Sequence, residues 1–81
     1  MRIKLLLFGR LRDLVGTESD TLELPERATV ADLLELYAAQ APRVRDYVPG
    51  LAVAVNQEYA ARSVQLNESD EVALIPPVSG G

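Results

Sequence analysis

The sequence predicts an α+β domain in which a mixed sheet packs against one main helix. Three observations lead there. Strand-like segments, alternating or wholly apolar, recur in both halves of the chain. A single capped stretch with helical spacing lies between them. Glycine, proline or short polar clusters punctuate the joins. With 81 residues, 48% of them hydrophobic and 25% charged, the chain suffices for one modest core and leaves no room for a second domain.

Residues 2 to 8 alternate, with Ile3, Leu5 and Leu7 on one face and Arg2, Lys4, Leu6 and Phe8 on the other. That pattern is a strand with a buried face whose second face turns apolar at Leu6 and Phe8. Gly9 breaks it, and Arg10 to Val15 suits one or two helical turns ended by Gly16. A second strand centres on Thr21-Leu22-Glu23-Leu24, with both leucines inward and Pro25 as its stop.

Thr29 reads as an N-cap, with Asp32 placed to complete a capping box. Val30, Leu33, Leu34 and Tyr37 then recur at helical spacing, which predicts the main helix over 30–40, closed by Pro42. Arg43 to Tyr47 suits a further helical turn before Pro49-Gly50. The continuous apolar run Leu51-Ala52-Val53-Ala54-Val55 predicts a central strand covered on both faces. Asn56-Gln57-Glu58 is its turn, and Tyr59 to Ala61 a short pairing strand. Asn67-Glu68-Ser69-Asp70 is a polar turn, and Glu71-Val72-Ala73-Leu74-Ile75 the last strand, terminated by Pro76. Two hairpin-like parts around one helix describe a β-grasp, or ubiquitin-like, arrangement with about four to five strands. The domain is expected over 1–75, followed by a flexible Gly-Gly tail over 76–81.

Composition removes most catalytic chemistry. There is no Cys and no His, which excludes disulfides, the usual zinc sites, a thiol nucleophile and an imidazole base. No calcium-loop pattern appears, and no bound metal is expected. A net charge of -4 argues against nucleic acid, which demands basic patches. The longest apolar run of the first strand, Leu5 to Phe8, is far too short to cross a bilayer. The first residues enter the alternating pattern directly, without a cleavage-site region, so a cytoplasmic protein is expected, with no membrane partner.

The end of the sequence carries a different chemistry. Gly80 and Gly81 follow the stiff lead Pro76-Pro77-Val78-Ser79. A terminal Gly-Gly presents a carboxylate on a tip without side chains, able to thread a narrow channel. Six residues from Pro76 onward span at most about 20 Å, at roughly 3.3 Å each. The two prolines hold the root of this tail extended and lower the entropy lost on insertion.

Four segments carry a family resemblance: Leu7-Phe8-Gly9-Arg10-Leu11-Arg12-Asp13-Leu14-Val15-Gly16, Thr29-Val30-Ala31-Asp32-Leu33-Leu34, Val53-Ala54-Val55-Asn56-Gln57, and Asp70 through Gly81. Together they span nearly the whole chain. It resembles the small-subunit family of molybdopterin synthases, sulfur carriers of the ubiquitin-like superfamily. The resemblance implies that an adenylyltransferase akin to ubiquitin-activating enzymes uses ATP and Mg²⁺ to adenylate the Gly81 carboxylate. A sulfur-donor protein then supplies sulfur to give a thiocarboxylate. The tail next enters the large synthase subunit, in a heterotetramer, and gives its sulfur to a pterin precursor. By this reading the chain binds no cofactor itself and catalyses nothing alone. At Leu74-Ile75 some relatives carry aromatic residues instead.

For individual residues two readings stand side by side. Leu6, Phe8 and Ile75 either pack beneath a loop or form an exposed apolar patch that docks the large subunit and the activating enzyme. Arg10 and Arg12 solvate a surface turn, or Arg12 pairs with acidic groups on a partner. Glu68, Asp70 and Glu71 read as a solvated loop, and Tyr37, Tyr47 and Tyr59 as core or rim packing. The same tail chemistry also suits sulfur carriers for thiamin, cysteine or tRNA. A ubiquitin-like modifier that forms isopeptide bonds is a further class; Lys4, the only lysine, leaves little scope for chain building. An interaction domain with an inert tail is the last.

Overall fold

The apolar alternation of the first strand is paid back in burial: in the computed structural model, which describes residues 1–77, Ile3, Leu5 and Leu7 of β1 (Arg2–Leu7) are all buried. Gly9 starts α1 (Gly9–Val15) with a left-handed φ of 52°, and Gly16 ends it at φ 86°, its N–H donating to the Arg12 carbonyl at 2.8 Å. β2 (Ser19–Glu23) returns antiparallel to β1, with Leu22 opposite Ile3.

α2 (Val30–Gln40) begins at the expected capping box. Thr29 Oγ1 accepts from the Asp32 N–H at 3.3 Å, and an Asp32 carboxylate oxygen accepts from the Thr29 N–H at 2.9 Å. The two remaining first-turn donors, Val30 and Ala31, give their N–H groups to the carbonyls of Val64 and Arg62, both at 2.9 Å. The start of α2 therefore has no free donors. A 3₁₀ stretch over Pro42–Gly50 follows, longer than the single turn expected, with Val44 buried. Arg62 supports it by donating to the Val48 carbonyl at 3.0 Å.

β3 (Ala52–Val55), β4 (Glu58–Tyr59) and β5 (Glu71–Ile75) complete a five-stranded sheet in the order β2-β1-β5-β3-β4. β5 lies parallel to β1 and antiparallel to β3. This is the β-grasp arrangement read from the sequence. Strand register puts Ile3, Leu5, Leu7, Val53, Val72 and Leu74 on one face, where they form a single core with Val30, Leu33, Leu34 and Tyr37 of α2. Each fully buried side chain of this size stabilises the fold by about 1.5–3 kcal/mol.

Three expectations need correction. The central strand is β5, because it alone joins the β1–β2 hairpin to the β3–β4 hairpin. The apolar run of β3 is covered by helix on one face only, since Ala52 and Ala54 stand outside the core cluster. Finally, β4 consists of Glu58 and Tyr59 and does not reach Ala61: Asn56 and Gln57, at φ 50° and 72°, make a tight two-residue turn that starts pairing earlier.

Candidate functional site

The face of the sheet opposite α2 is where the expected residues gather. Leu6 of β1 lies beside Ala73 of β5, Ala73 opposite Ala54 of β3, and Ala54 opposite Tyr59 of β4. One row thus crosses four strands and is apolar throughout. The next row toward the C-terminal end of β5 holds Ile75 opposite Ala52. The preceding row is polar, with Lys4 beside Glu71 and their charged atoms 3.9 Å apart. The apolar face is therefore bounded by charge on one side and by Pro76-Pro77 on the other.

Its floor is made of alanines and its walls of larger side chains. A shallow hollow is lined by Leu6, Phe8, Ala54, Tyr59, Ala73 and Ile75, with Gln57 and Glu71 at its rim. A second hollow is lined by Phe8, Gly9, Arg10, Tyr47, Ile75, Pro76 and Pro77. Phe8 and Ile75 belong to both, so the apolar face continues to the start of the tail. Phe8 is 46% and Tyr59 80% exposed. Large apolar side chains held in water over small-residue depressions are the anatomy of a protein-docking surface.

Of the residues singled out in the sequence, Leu6, Phe8 and Ile75 are brought together on this face, and Pro76 and Pro77 adjoin it. Arg12 is not: it lines a separate hollow with Asp13, Gly16, Thr17 and Glu18. Arg10 is the cation beside the tail root. Val78, Ser79, Gly80 and Gly81 lie outside the described residues.

Tyr59 corrects the expectation of core or rim packing, while Tyr37 is buried in the core and Tyr47 packs partly against it. The signal for Tyr59 was present in the sequence. A two-residue turn at Asn56-Gln57 fixes the pairing of Ala54 with Tyr59, and Ala54 falls between Val53 of the core and Val55, which packs against it.

The acidic turn is also more than a solvated loop. Asp70 is buried, and its carboxylate accepts from the Asn56 side-chain amide at 2.9 Å and from the Asn67 N–H at 2.8 Å. Asn56 further exchanges bonds with the Glu71 backbone, its Oδ1 accepting at 3.0 Å and its N–H donating at 2.7 Å. This network ties the β3–β4 turn to the start of β5 and so fixes Tyr59 relative to Ala73. Glu68 accepts from the Arg2 N–H at 3.1 Å.

Among the described residues this face is lined by apolar side chains, with Gln57 and Glu71 at its rim. No cluster of three or more Asp or Glu side chains among the described residues is placed to hold a metal ion. No helix among them is long and apolar enough to cross a membrane. The arrangement can bind a protein surface and present the chain that leaves beside it.

Comparison with known proteins covers the whole chain or nearly so. The ThiS family model matches residues 5–81, through Gly80 and Gly81. A protein of Arabidopsis thaliana described as molybdopterin synthase sulfur carrier subunit is 36% identical over 81 residues, covering 100% of this chain and 84% of that protein. Its counterpart of the same description in Chlamydomonas reinhardtii is 39% identical over 83 residues, covering 100% of both chains. Among solved structures, SAMP1 from Haloferax volcanii superposes with a TM-score of 0.91 at 29% identity, again over 100% of both chains.

Proposed function

Given that the chain belongs to the ThiS family, we propose that it is the sulfur-carrier subunit of a molybdopterin synthase, acting in molybdenum cofactor biosynthesis. The observation that carries this reading is end-to-end similarity to proteins of that description, at 30–39% identity, with the family match running through the terminal glycines.

The chemistry follows from the tail. A free carboxylate is a poor electrophile, because its charge repels nucleophiles and its leaving group is bad. An adenylyltransferase with ATP and Mg²⁺ converts the Gly81 carboxylate to an acyl adenylate and releases pyrophosphate. Sulfide-level sulfur delivered by a donor protein then displaces AMP and leaves a thiocarboxylate, a soft nucleophile. Inserted into the large subunit, the thiocarboxylate sulfur displaces an oxygen substituent from a carbon of the pterin precursor. Water then cleaves the acyl–sulfur bond, leaving the sulfur on the pterin and returning the Gly81 carboxylate; two such transfers supply the two sulfurs of the dithiolene. Partner enzymes provide metal, acid, base and oxyanion stabilisation. The carrier provides a docking face formed by Leu6, Phe8, Tyr59 and Ile75, and a slender reactive end held by Pro76-Pro77 and continued by Val78, Ser79 and Gly80. Its working compartment is the cytoplasm.

A second reading is a protein modifier, favoured by the likeness to SAMP1, a small archaeal modifier protein. Intact-mass measurement separates the two after incubation with ATP, Mg²⁺, an activating enzyme and a sulfur donor. Replacement of one terminal oxygen by sulfur supports the carrier. Adducts on target lysines without any thiocarboxylate support the modifier. An unchanged mass under competent conditions overturns both.

A further inference from the structure

β1 and β5 run parallel with Leu7 beside Leu74, and the residues after each strand leave the sheet together. Phe8, Gly9, Ile75 and Pro76 all line one hollow. There Gly9 turns the chain into α1, while Pro76, lacking an N–H, ends the pairing of β5. A Cβ on Gly9 would stand 3.3 Å from Pro76 Cγ and 4.0 Å from Cδ. A side chain starting there would press on the proline ring, which would have to give by a few tenths of an ångström. Pro77 lies against Gly50 in a looser version of the same contact, with its Cγ 3.8 Å from the equivalent point.

Two demands thus meet at Gly9: a left-handed backbone and room for Pro76. Gly16, at the other end of α1, faces only the first. Its φ is 86°, and a Cβ there would meet nothing within 4 Å. Conformation alone explains Gly16 but leaves the contact at Gly9 unexplained.

We propose that Gly9 is a positioning residue for the tail, acting through Pro76. Because position 9 lacks a side chain, Pro76 settles against the β1–α1 junction and fixes where the last four residues set out from the docking face. This rests on the sulfur-carrier reading above. Those four residues reach at most about 13 Å, at roughly 3.3 Å each. With the body held by its apolar face and the tip held in a partner's active site, a displaced root shortens the available reach. Misplacement by about 1 Å can cost on the order of 100-fold in rate. Glycines at the tip absorb part of it, so a loss of about 3- to 10-fold in transfer is expected.

Asparagine is the substitution of choice, because it tolerates left-handed backbone better than other residues with a Cβ. Thiocarboxylated full-length carriers would be compared in single-turnover sulfur transfer with the large subunit, alongside their dissociation constants. With the large subunit at saturating concentration, so that any change in docking drops out of the rate, Gly9→Asn should slow transfer about 3- to 10-fold. Gly16→Asn, equal in backbone demand, should transfer at the wild-type rate. In a Pro76→Ala background, which removes the opposing Cγ, Gly9→Asn should cause no further loss. A nuclear Overhauser contact between Gly9 Hα and Pro76 Hγ should be seen in the free wild-type protein. Wild-type rates for Gly9→Asn, an undiminished loss in the Pro76→Ala background, or absence of that contact overturns the inference alone. A wild-type protein that never acquires sulfur overturns the carrier reading and this inference with it.

Discussion

The side-chain amide of Asn56 donates to the buried carboxylate of Asp70 at 2.9 Å, bridging the β3–β4 turn and the strand that leads to the tail. Asn56 itself sits at φ 50°, in the left-handed region that asparagine tolerates. Its side chain thus does two jobs, shaping the turn and satisfying a buried anion.

Asn56→Ala removes both. The Asp70 carboxylate and the Glu71 N–H each lose a partner, and alanine must adopt positive φ. A loss of about 2–3 kcal/mol is expected, measured by urea denaturation with unchanged m-value. A loss below ~0.5 kcal/mol would show that the network is not structural.

Tyr37 gives a prediction of opposite sign. Its hydroxyl is buried without a hydrogen-bond partner among the described residues. Burial, with a smaller contribution from the charge of Asp20, raises its pKa above the ordinary 10.0. Tyr37→Phe removes an unsatisfied polar atom and keeps the ring, so stability should be unchanged or rise by up to about 1 kcal/mol.

The same shift sets a pH window. A raised pKa means that the folded state holds the phenolic proton more tightly than the unfolded chain. The contribution is intact below pH 10 and is lost as pH rises from there through the folded pKa. Denaturation midpoints of wild type and Tyr37→Phe should run parallel up to that pH, with the wild type falling more steeply above it. Equal slopes would contradict the assignment.

The docking face predicts a graded pattern of binding to the large subunit. Phe8→Asp places a charge between the two hollows and should abolish complex formation with the fold intact, a weakening of at least ~100-fold. Tyr59→Ala should weaken binding about 10-fold. Arg12→Ala, in a hollow apart from this face, should change affinity less than either. Calorimetry on the purified pair checks the order.

Much of this architecture was legible in the residues. Alternation at Ile3, Leu5 and Leu7, the Thr29–Asp32 box and the spacing of Val30, Leu33, Leu34 and Tyr37 are local patterns, and local physics decided them. What escaped depended on long-range pairing. An apolar strand face looks the same whether a second layer covers it or a partner does, so the run at 51–55 could not reveal that Ala52 and Ala54 belong to the face opposite α2, outside the core cluster. Tyr59 is readable only through the Asn56-Gln57 turn that pairs it with Ala54, because its own two-residue edge strand is too short to show a period. Asp70 reads as a loop acid until Asn56, 14 residues away, is brought beside it. Leu6, Phe8 and Ile75 stand out in the sequence because an apolar residue on the outer side of a strand is itself a signal, and the structure places them on one face.

In the proposed carrier cycle the outermost acyl carbon ferries sulfur while other proteins perform the catalysis. A carrier lacking only Gly81, folded and bound normally to the large subunit, tests it directly in a purified system that assembles molybdopterin from its precursor. This variant should give no thiocarboxylate and no product, against full conversion with the intact chain. Product formation by the truncated carrier would contradict it.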